Sequence, residues 1–286
     1  MFTVLDGSQP AWVVKFSRVA GYDRSFVDDA AGLALVRAAG GPVAARAPTY
    51  LGLVDAGGLT ASVETAAAGN QLSLLLHRRP WHLLDSIADW IEDVGRHTAQ
   101  PGSALEAERA RMRRAVIEAG VSVGAPADLV DSVPPIPAVL QHNDLGGWNL
   151  ITDGRDFTAV DWESARRPGF PIWDLLYFAA DVLAQVDGPA DTPTRVARVL
   201  RVFAGESEHS ARLFRWVHSA AGSAGIPTSA LGALATLCWI HHSRSAERRA
   251  GDLRGAAPAP LGHLASLTGA WLAHPALGVA WRALQR

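Results

Sequence analysis

The spacing of apolar residues changes once along this chain, and the change limits the folds available to it. Up to about residue 65, apolar residues form short β-type runs that are broken by turn signals at 6–10 and at Gly57-Gly58. Beyond that point they recur every three or four residues, as on one face of a helix. The pattern predicts an α+β fold, with a small, mostly antiparallel sheet and one helix over 1–65 and a larger helical part over 66–286.

Composition excludes several classes of partner. The 286 residues are 49% hydrophobic, which is enough for one large domain or two unequal lobes, and the net charge of −2 provides no basic surface for nucleic acid. One cysteine forms no internal disulfide, and no apolar run reaches the roughly 18 residues of a membrane span. The first residues lack the basic start of a secretion signal. We therefore expect a cytoplasmic protein that binds neither nucleic acid nor membrane.

A polar loop, QHNDLGGWNLI at 141–151, lies between strand-like runs in the second part of the chain. It contains His142, Asp144 and Asn149, and the next apolar run, FTAV, leads directly to Asp161. We expect Asp144, Asn149 and Asp161 to lie at the ends of short strands and to face one cleft. Carboxylate and amide oxygens suit Mg²⁺ better than Zn²⁺.

Lys15 is the one lysine among 26 basic residues, and it lies in the apolar, strand-like run WVVKF. In a chain that otherwise uses arginine, a lysine indicates a position where a compact ammonium group is needed. The alternative is a charge that protects an edge strand from aggregation.

Two motifs together resemble a known family. HNDLGGWN followed by VDWE resembles the catalytic loop and metal-binding aspartate of the protein-kinase-like superfamily, and is most similar to its aminoglycoside phosphotransferase and choline kinase branch. Asp174, in FPIWDLLYF, is similar to a further aspartate of that branch. The resemblance implies a two-lobed fold, with a β-rich N-lobe at 1–65 and a helical C-lobe at 66–286.

The resemblance also implies roles for the residues of the loop. Asp144 would orient the attacking hydroxyl or accept its proton, while Asn149 and Asp161 would hold Mg²⁺ against the phosphates of ATP or GTP. His142 would brace the loop, and Asp174 would fix it through buried hydrogen bonds.

Other residues receive roles from the same resemblance. Lys15 would contact the α- and β-phosphates and pair with an acid on the next helix, for which Asp29 is the better placed candidate. Glu64 is similar to the hinge whose backbone receives the adenine. Trp148 and Trp162 flank the loop and are candidates for the walls of an acceptor pocket.

One part of the family pattern is missing. A complete small lobe has a further strand and a phosphate-covering loop, but only 14 residues precede Lys15. A late start codon, a partner chain that completes the lobe, or a loss of phosphate transfer would each explain this.

The expected function is transfer of the γ-phosphate of ATP or GTP to a hydroxyl of a small molecule, such as a sugar, an amino alcohol or a natural product. The alternatives are a peptide Ser/Thr kinase of natural-product maturation and a pseudokinase-like binding subunit. Residues 263–286 contain no acid, which argues against polycationic aminoglycosides as acceptors.

Overall fold

The computed structural model describes residues 2–16, 24–55, 57–123, 126, 128–252, 262–274, 277 and 281. The strands are β1 (Phe2–Asp6), β2 (Gln9–Phe16), β3 (Tyr50–Asp55), β4 (Thr60–Thr65), β5 (Asn70–Gln71), β6 (Val139–Gln141), β7 (Leu150–Thr152), β8 (Phe157–Ala159) and β9 (Arg166–Gly169). The helices are α1 (Arg24–Ala39), α2 (Gly41–Ala44), α3 (Trp81–Thr98), α4 (Glu106–Val123), α5 (Trp173–Gln185), α6 (Thr192–Phe203), α7 (Ser210–Ser223), α8 (Leu231–Asp252) and α9 (Gly262–Ala273).

Strands β1 to β4 form an antiparallel sheet in the order β1-β2-β4-β3. The second hairpin turns where predicted, because Gly57 and Gly58 adopt positive φ angles of 72° and 85° and Gly58 N donates to Asp55 Oδ1 at 2.6 Å. The small antiparallel sheet and the larger helical part confirm the predicted α+β class.

Lys15 lies inside this sheet, because β2 is paired with β1 on one side and with β4 on the other. The interpretation of Lys15 as a guard on an edge strand is therefore wrong. In the register of β2 and β4, Lys15 stands opposite Ser62 and Val13 stands opposite Glu64. Since alternate side chains share a face, Lys15, Ser62 and Glu64 point to the same side of the sheet.

Helix α5 is the centre of the helical part. Every residue from Trp173 to Ala184 is buried, and α3, α6, α7 and α8 all pack against this helix. A helix that is buried on every side belongs to the core of a large domain. Within the described ranges, no helix combines the length and the apolar character needed to cross a membrane.

Short strands place the polar loops beside this core. β7 and β8 form a hairpin that β5 extends, and β6 pairs with β9. The loop at 142–149 joins β6 to β7, and Asp161 follows β8 by two residues. The first polar segment therefore ends, and the second begins, at neighbouring strand ends, because Leu150 at the start of β7 pairs with Ala159 at the end of β8.

The small sheet is joined to the helical part where α1 meets the backbone at Trp162. Gly32, in the middle of α1, is buried, and a Cβ added there would lie 2.0 Å from the carbonyl oxygen of Trp162. Only a residue without a side chain permits this approach.

We expect Gly32→Ala to lower the free energy of unfolding by about 1–3 kcal/mol, because the added methyl group forces α1 away from Trp162. Urea denaturation of the purified chain measures this change. Gly95→Ala is the matched control, since Gly95 lies within α3 and a Cβ there meets no atom within 4 Å. The control should be neutral or stabilising by up to about 1 kcal/mol. Equal stability of Gly32→Ala and the natural chain would refute the close approach.

Candidate functional site

Asp144 and Asn149 are in direct contact. Asn149 Nδ2 donates to the backbone oxygen of Asp144 at 2.9 Å and lies 3.3 Å from its Oδ2, while the Tyr177 hydroxyl donates to Asp144 Oδ1 at 3.2 Å. Since the amide nitrogen of Asn149 faces Asp144, its Oδ1 is the atom left to bind a cation. Tyr177 was not among the predicted site residues, although its position three residues after Asp174 on a helix placed it on the same face.

The segment before Asp161 is bound to the loop. Val160 N donates to Asn149 O at 2.9 Å, and His142 Nε2 lies 3.0 Å from Val160 O. Asp161 itself has a left-handed backbone, with φ 67° and ψ 64°, a conformation that aspartate tolerates better than most residues. The strand ends thus bring Asp144, Asn149 and Asp161 to one region.

Asp174 binds the backbone at the start of the loop. Its carboxylate accepts from His142 N at 2.7 Å and from Asn143 N at 2.8 Å. Burial raises the pKa of Asp174, and this effect outweighs the lowering by His142 and by the two backbone hydrogen bonds. The buried ring of His142 lies 4.5 Å from the ring of Trp162, between the centroids.

Asp29 links Lys15 to the backbone beside Asp161. One carboxylate oxygen lies 2.7 Å from Lys15 Nζ, and the other accepts from Trp162 N at 2.9 Å. Asp29 is buried, and its shorter side chain reaches Lys15 where the resemblance would have glutamate. A strand of the small sheet, α1 and the segment after β8 therefore meet at one carboxylate.

Glu64 has a different environment from the one predicted. Its side chain is buried, and Oε1 lies 3.0 Å from Lys15 Nζ. Its backbone is part of the central strand, between Val13 and Tyr50, and so is not placed to receive adenine as the resemblance implied.

Charge and burial compete around Lys15. Burial alone lowers the pKa of Lys15, but the charges of Asp29 and Glu64 and their hydrogen bonds raise it above its ordinary value. Burial raises the pKa of Glu64 despite the attraction of Lys15, and the charges of Asp29 and Asp161 raise it further. The effect of Asp161 places its charge within electrostatic reach of the Lys15 pair.

Trp162 is not a wall of an acceptor pocket. It is 1% exposed, its Nε1 donates to Ala159 O at 2.9 Å, and the cavity beside it has a volume of about 30 Å³. Such a cavity holds a water molecule or two but no organic acceptor. Trp148 is half-buried and packs edge-on against Tyr177, with 6.1 Å between ring centroids.

A second buried acid on α5 also binds the loop. Asp181 Oδ2 accepts from Gly147 N at 2.8 Å, and Asp181 Oδ1 accepts from Gln185 Nε2 at 2.6 Å and from Arg195. Burial raises the pKa of Asp181 to about 6, against the lowering effect of Arg195. Asp181 was not among the predicted site residues, although its position seven residues after Asp174 indicates the same helix face.

A separate group of possible metal ligands, Asp187, Glu208 and His209, occurs among the described residues. Arg79 lies 2.8 Å from Asp187 and 3.6 Å from Glu208, between side-chain nitrogen and carboxylate oxygen. An arginine thus already supplies the positive charge there. The oxygen ligands predicted for a metal are those of Asn149 and Asp161.

Comparison with known proteins assigns no family to this chain. No model of a known protein family matches the sequence. A search of the curated proteins also finds no match.

The two hydrogen bonds of Asp174 lead to a test of stability. Asp174→Asn should lower the free energy of unfolding by about 1–3 kcal/mol, because an amide has one accepting oxygen and leaves a buried N–H unpaired. Asp153→Asn is the control, since a single exposed oxygen of Asp153 accepts from both Arg155 N and Asp156 N. Urea denaturation should show a change below about 0.5 kcal/mol in the control. Equal losses in both variants would contradict the role of Asp174.

The raised pKa of Asp181 gives a test of pH dependence. The folded state holds this proton more tightly than the unfolded chain, so the stabilisation is complete below pH 3.8 and is lost as the pH rises to about 6. The amide resonance of Gly147, which donates to Asp181, should titrate with a midpoint near pH 6 in NMR spectra, and this titration should be absent in Asp181→Asn. An amide chemical shift of Gly147 that stays constant between pH 4 and 7 would contradict the raised pKa of Asp181.

Proposed function

We infer that this protein is a Mg²⁺-dependent phosphotransferase with protein-kinase-like lobes, and that it transfers the γ-phosphate of ATP or GTP to a hydroxyl of a small molecule. Phosphoryl transfer requires little covalent work from a protein, so a site for it consists of groups that position the reactants and neutralise charge. Lys15, Asn149 and Asp161 have this chemistry, and Asp144 offers a carboxylate to the attacking hydroxyl.

The observation that carries this proposal is the double contact of Asp29. Its carboxylate joins Lys15, a candidate phosphate ligand, to the backbone N–H next to Asp161, a candidate metal ligand. The arrangement supports a nucleotide site between the small sheet and the loop, because a phosphate chain and its metal must be bound by both parts together.

The donor atoms fit the proposed ligands. Asn149 Oδ1 and the carboxylate of Asp161 are hard oxygen donors, which Mg²⁺ prefers, and the ion would neutralise charge on the phosphates. Beside Lys15, Ser62 Oγ is buried without a hydrogen-bond partner in the part of the chain that is described. Buried polar atoms usually have partners, and a serine hydroxyl can donate to a phosphate oxygen, so this atom suits a site that gains a polar ligand.

A second candidate function is that of a binding subunit without phosphate transfer. The contact that favours it is the pairing of Lys15 with both Asp29 and Glu64, which compensates its charge without any phosphate. Nucleotide binding distinguishes the two candidates.

The first experiment is thermal unfolding with Mg²⁺ and ATP or GTP. A ligand that binds only the folded state raises the midpoint, by several degrees at a hundredfold excess over Kd. Asp161→Asn should abolish the rise, because asparagine tolerates the left-handed backbone but lacks the carboxylate. EDTA should abolish it as well, whereas Asp153→Asn, altered at an exposed turn, should respond like the natural chain. No rise with either nucleotide would exclude a phosphotransferase that this chain forms by itself.

The second experiment follows nucleotide consumption with panels of sugars and amino alcohols. Asp144→Asn should retain the Mg²⁺-dependent rise in midpoint but lower the rate at least about 100-fold, because it removes the group that accepts the proton. An Asp144→Asn variant with the full rate would assign the proton to another group.

A further inference from the structure

A cleft near the loop at 142–149 has the size of a ligand site. Its volume is about 380 Å³, within the range of small-molecule pockets, whereas the cavities beside Trp162 and Trp148 have volumes of about 30 and 20 Å³. One wall is the segment 73–77, between β5 and α3, and the other is the end of α5 with the residues that follow it.

The residues that line the cleft provide apolar surface and one cationic group. Leu74, Leu76, Ala184, Pro189 and Ala190 supply apolar surface, and Ser73, His77, Gln185 and Arg195 supply polar groups. Leu74 is 60% exposed, so its side chain is available for contact with a ligand. Among the described residues that line the cleft, none is acidic.

Arg195 has hydrogen-bonding capacity to spare. Its guanidinium contacts Asp181 through one nitrogen, and a guanidinium carries five N–H donors in a planar fork. The side chain is 23% exposed at the cleft. This fork matches the oxygens of a carboxylate or phosphate, which it binds with two parallel hydrogen bonds.

The nearby acids are already engaged elsewhere. Asp187 contacts Arg79 and His209, and Asp191 accepts from Thr194 N at the start of α6. The second wall is also fixed, because Arg198 Nη1 donates to Ala184 O at 3.1 Å and to Gly188 O at 2.7 Å. The cleft is therefore a preformed space, and Arg195 is the charged side chain among the described residues that line it.

The two walls meet at the loop. Ser73 N, on the first wall, donates to Gly147 O at 3.0 Å, and Asp181, on the helix of the second wall, accepts from Gly147 N at 2.8 Å. Both walls are thus hydrogen-bonded to the peptide groups of Gly147, three residues after Asp144.

We propose that this cleft is a binding site for a small organic anion, namely a carboxylate or phosphate on a short apolar body, which Arg195 recognises beside the loop. This site goes beyond the proposed function, and its test requires neither nucleotide nor catalysis. The apolar body lies against Leu74 and Pro189, and the anion takes the remaining donors of Arg195.

The test is a titration of the full chain, followed by saturation-transfer NMR, with four probes of equal chain length: hexanoate, hexyl phosphate, hexanol and hexylamine. At least one of the two anions should bind about tenfold or more tightly than the alcohol and the amine, because a charge-assisted hydrogen bond is lost in the latter. The stronger anion identifies the headgroup. Equal affinities, or a preference for the amine, would overturn the proposal.

Variants assign the binding to the cleft. Ala190→Trp fills it from an exposed position and should abolish binding of the preferred anion, whereas Ala107→Trp, on an exposed face of α4, should leave it unchanged. Leu74→Ser should weaken binding without filling the cleft, and thermal unfolding verifies that each variant is folded. Undiminished binding in both Ala190→Trp and Leu74→Ser would overturn the site.

Discussion

The structure depends on one buried carboxylate, that of Asp29. A single hydrophobic core joins Leu33 and Val36 of α1 to the helical part, and hydrophobic packing has no direction of its own. Asp29 adds directional contacts at this junction, because its two oxygens bind Lys15 on β2 and the backbone N–H of Trp162 after β8. The absence of a side chain at Gly32, one turn along α1, permits the approach that these hydrogen bonds need. A buried charge is tolerated here because it is paired and fully hydrogen-bonded.

The loop depends in the same way on one face of α5. Asp174, Tyr177 and Asp181 follow the i, i+3, i+7 spacing of a single helix face. Asp174 binds the backbone at His142 and Asn143, Tyr177 binds the side chain of Asp144, and Asp181 binds the backbone at Gly147. A glycine-rich loop has little conformational preference of its own, so a rigid, buried helix must supply its shape. The end of the same helix lines the cleft, so α5 contacts both the cleft and the loop.

The sequence predicted the elements well where the signal was local. Hairpins and the change of apolar period follow from patterns within a few residues, and the pairing of Lys15 with Asp29 was implied by the family resemblance. The prediction that Trp162 forms a wall of an acceptor pocket was wrong. An aromatic residue beside a polar loop has the same sequence signature whether it faces a ligand or the core. The sequence also misplaced Glu64, since nothing local indicates that a side chain on β4 turns inward to Lys15.

The sequence by itself determined the fold class and the chemical types of the candidate site, because periodicity and residue type are properties of the chain. Only the tertiary structure decided which groups meet. Asp181 and Gly147 are 34 residues apart, and Lys15 and Glu64 lie on different strands, so their contacts exist only after α5 and the sheet have packed. The cleft at Arg195 was also decided only by the tertiary structure. Its walls come from segments more than 100 residues apart, and no local pattern encodes the space between them.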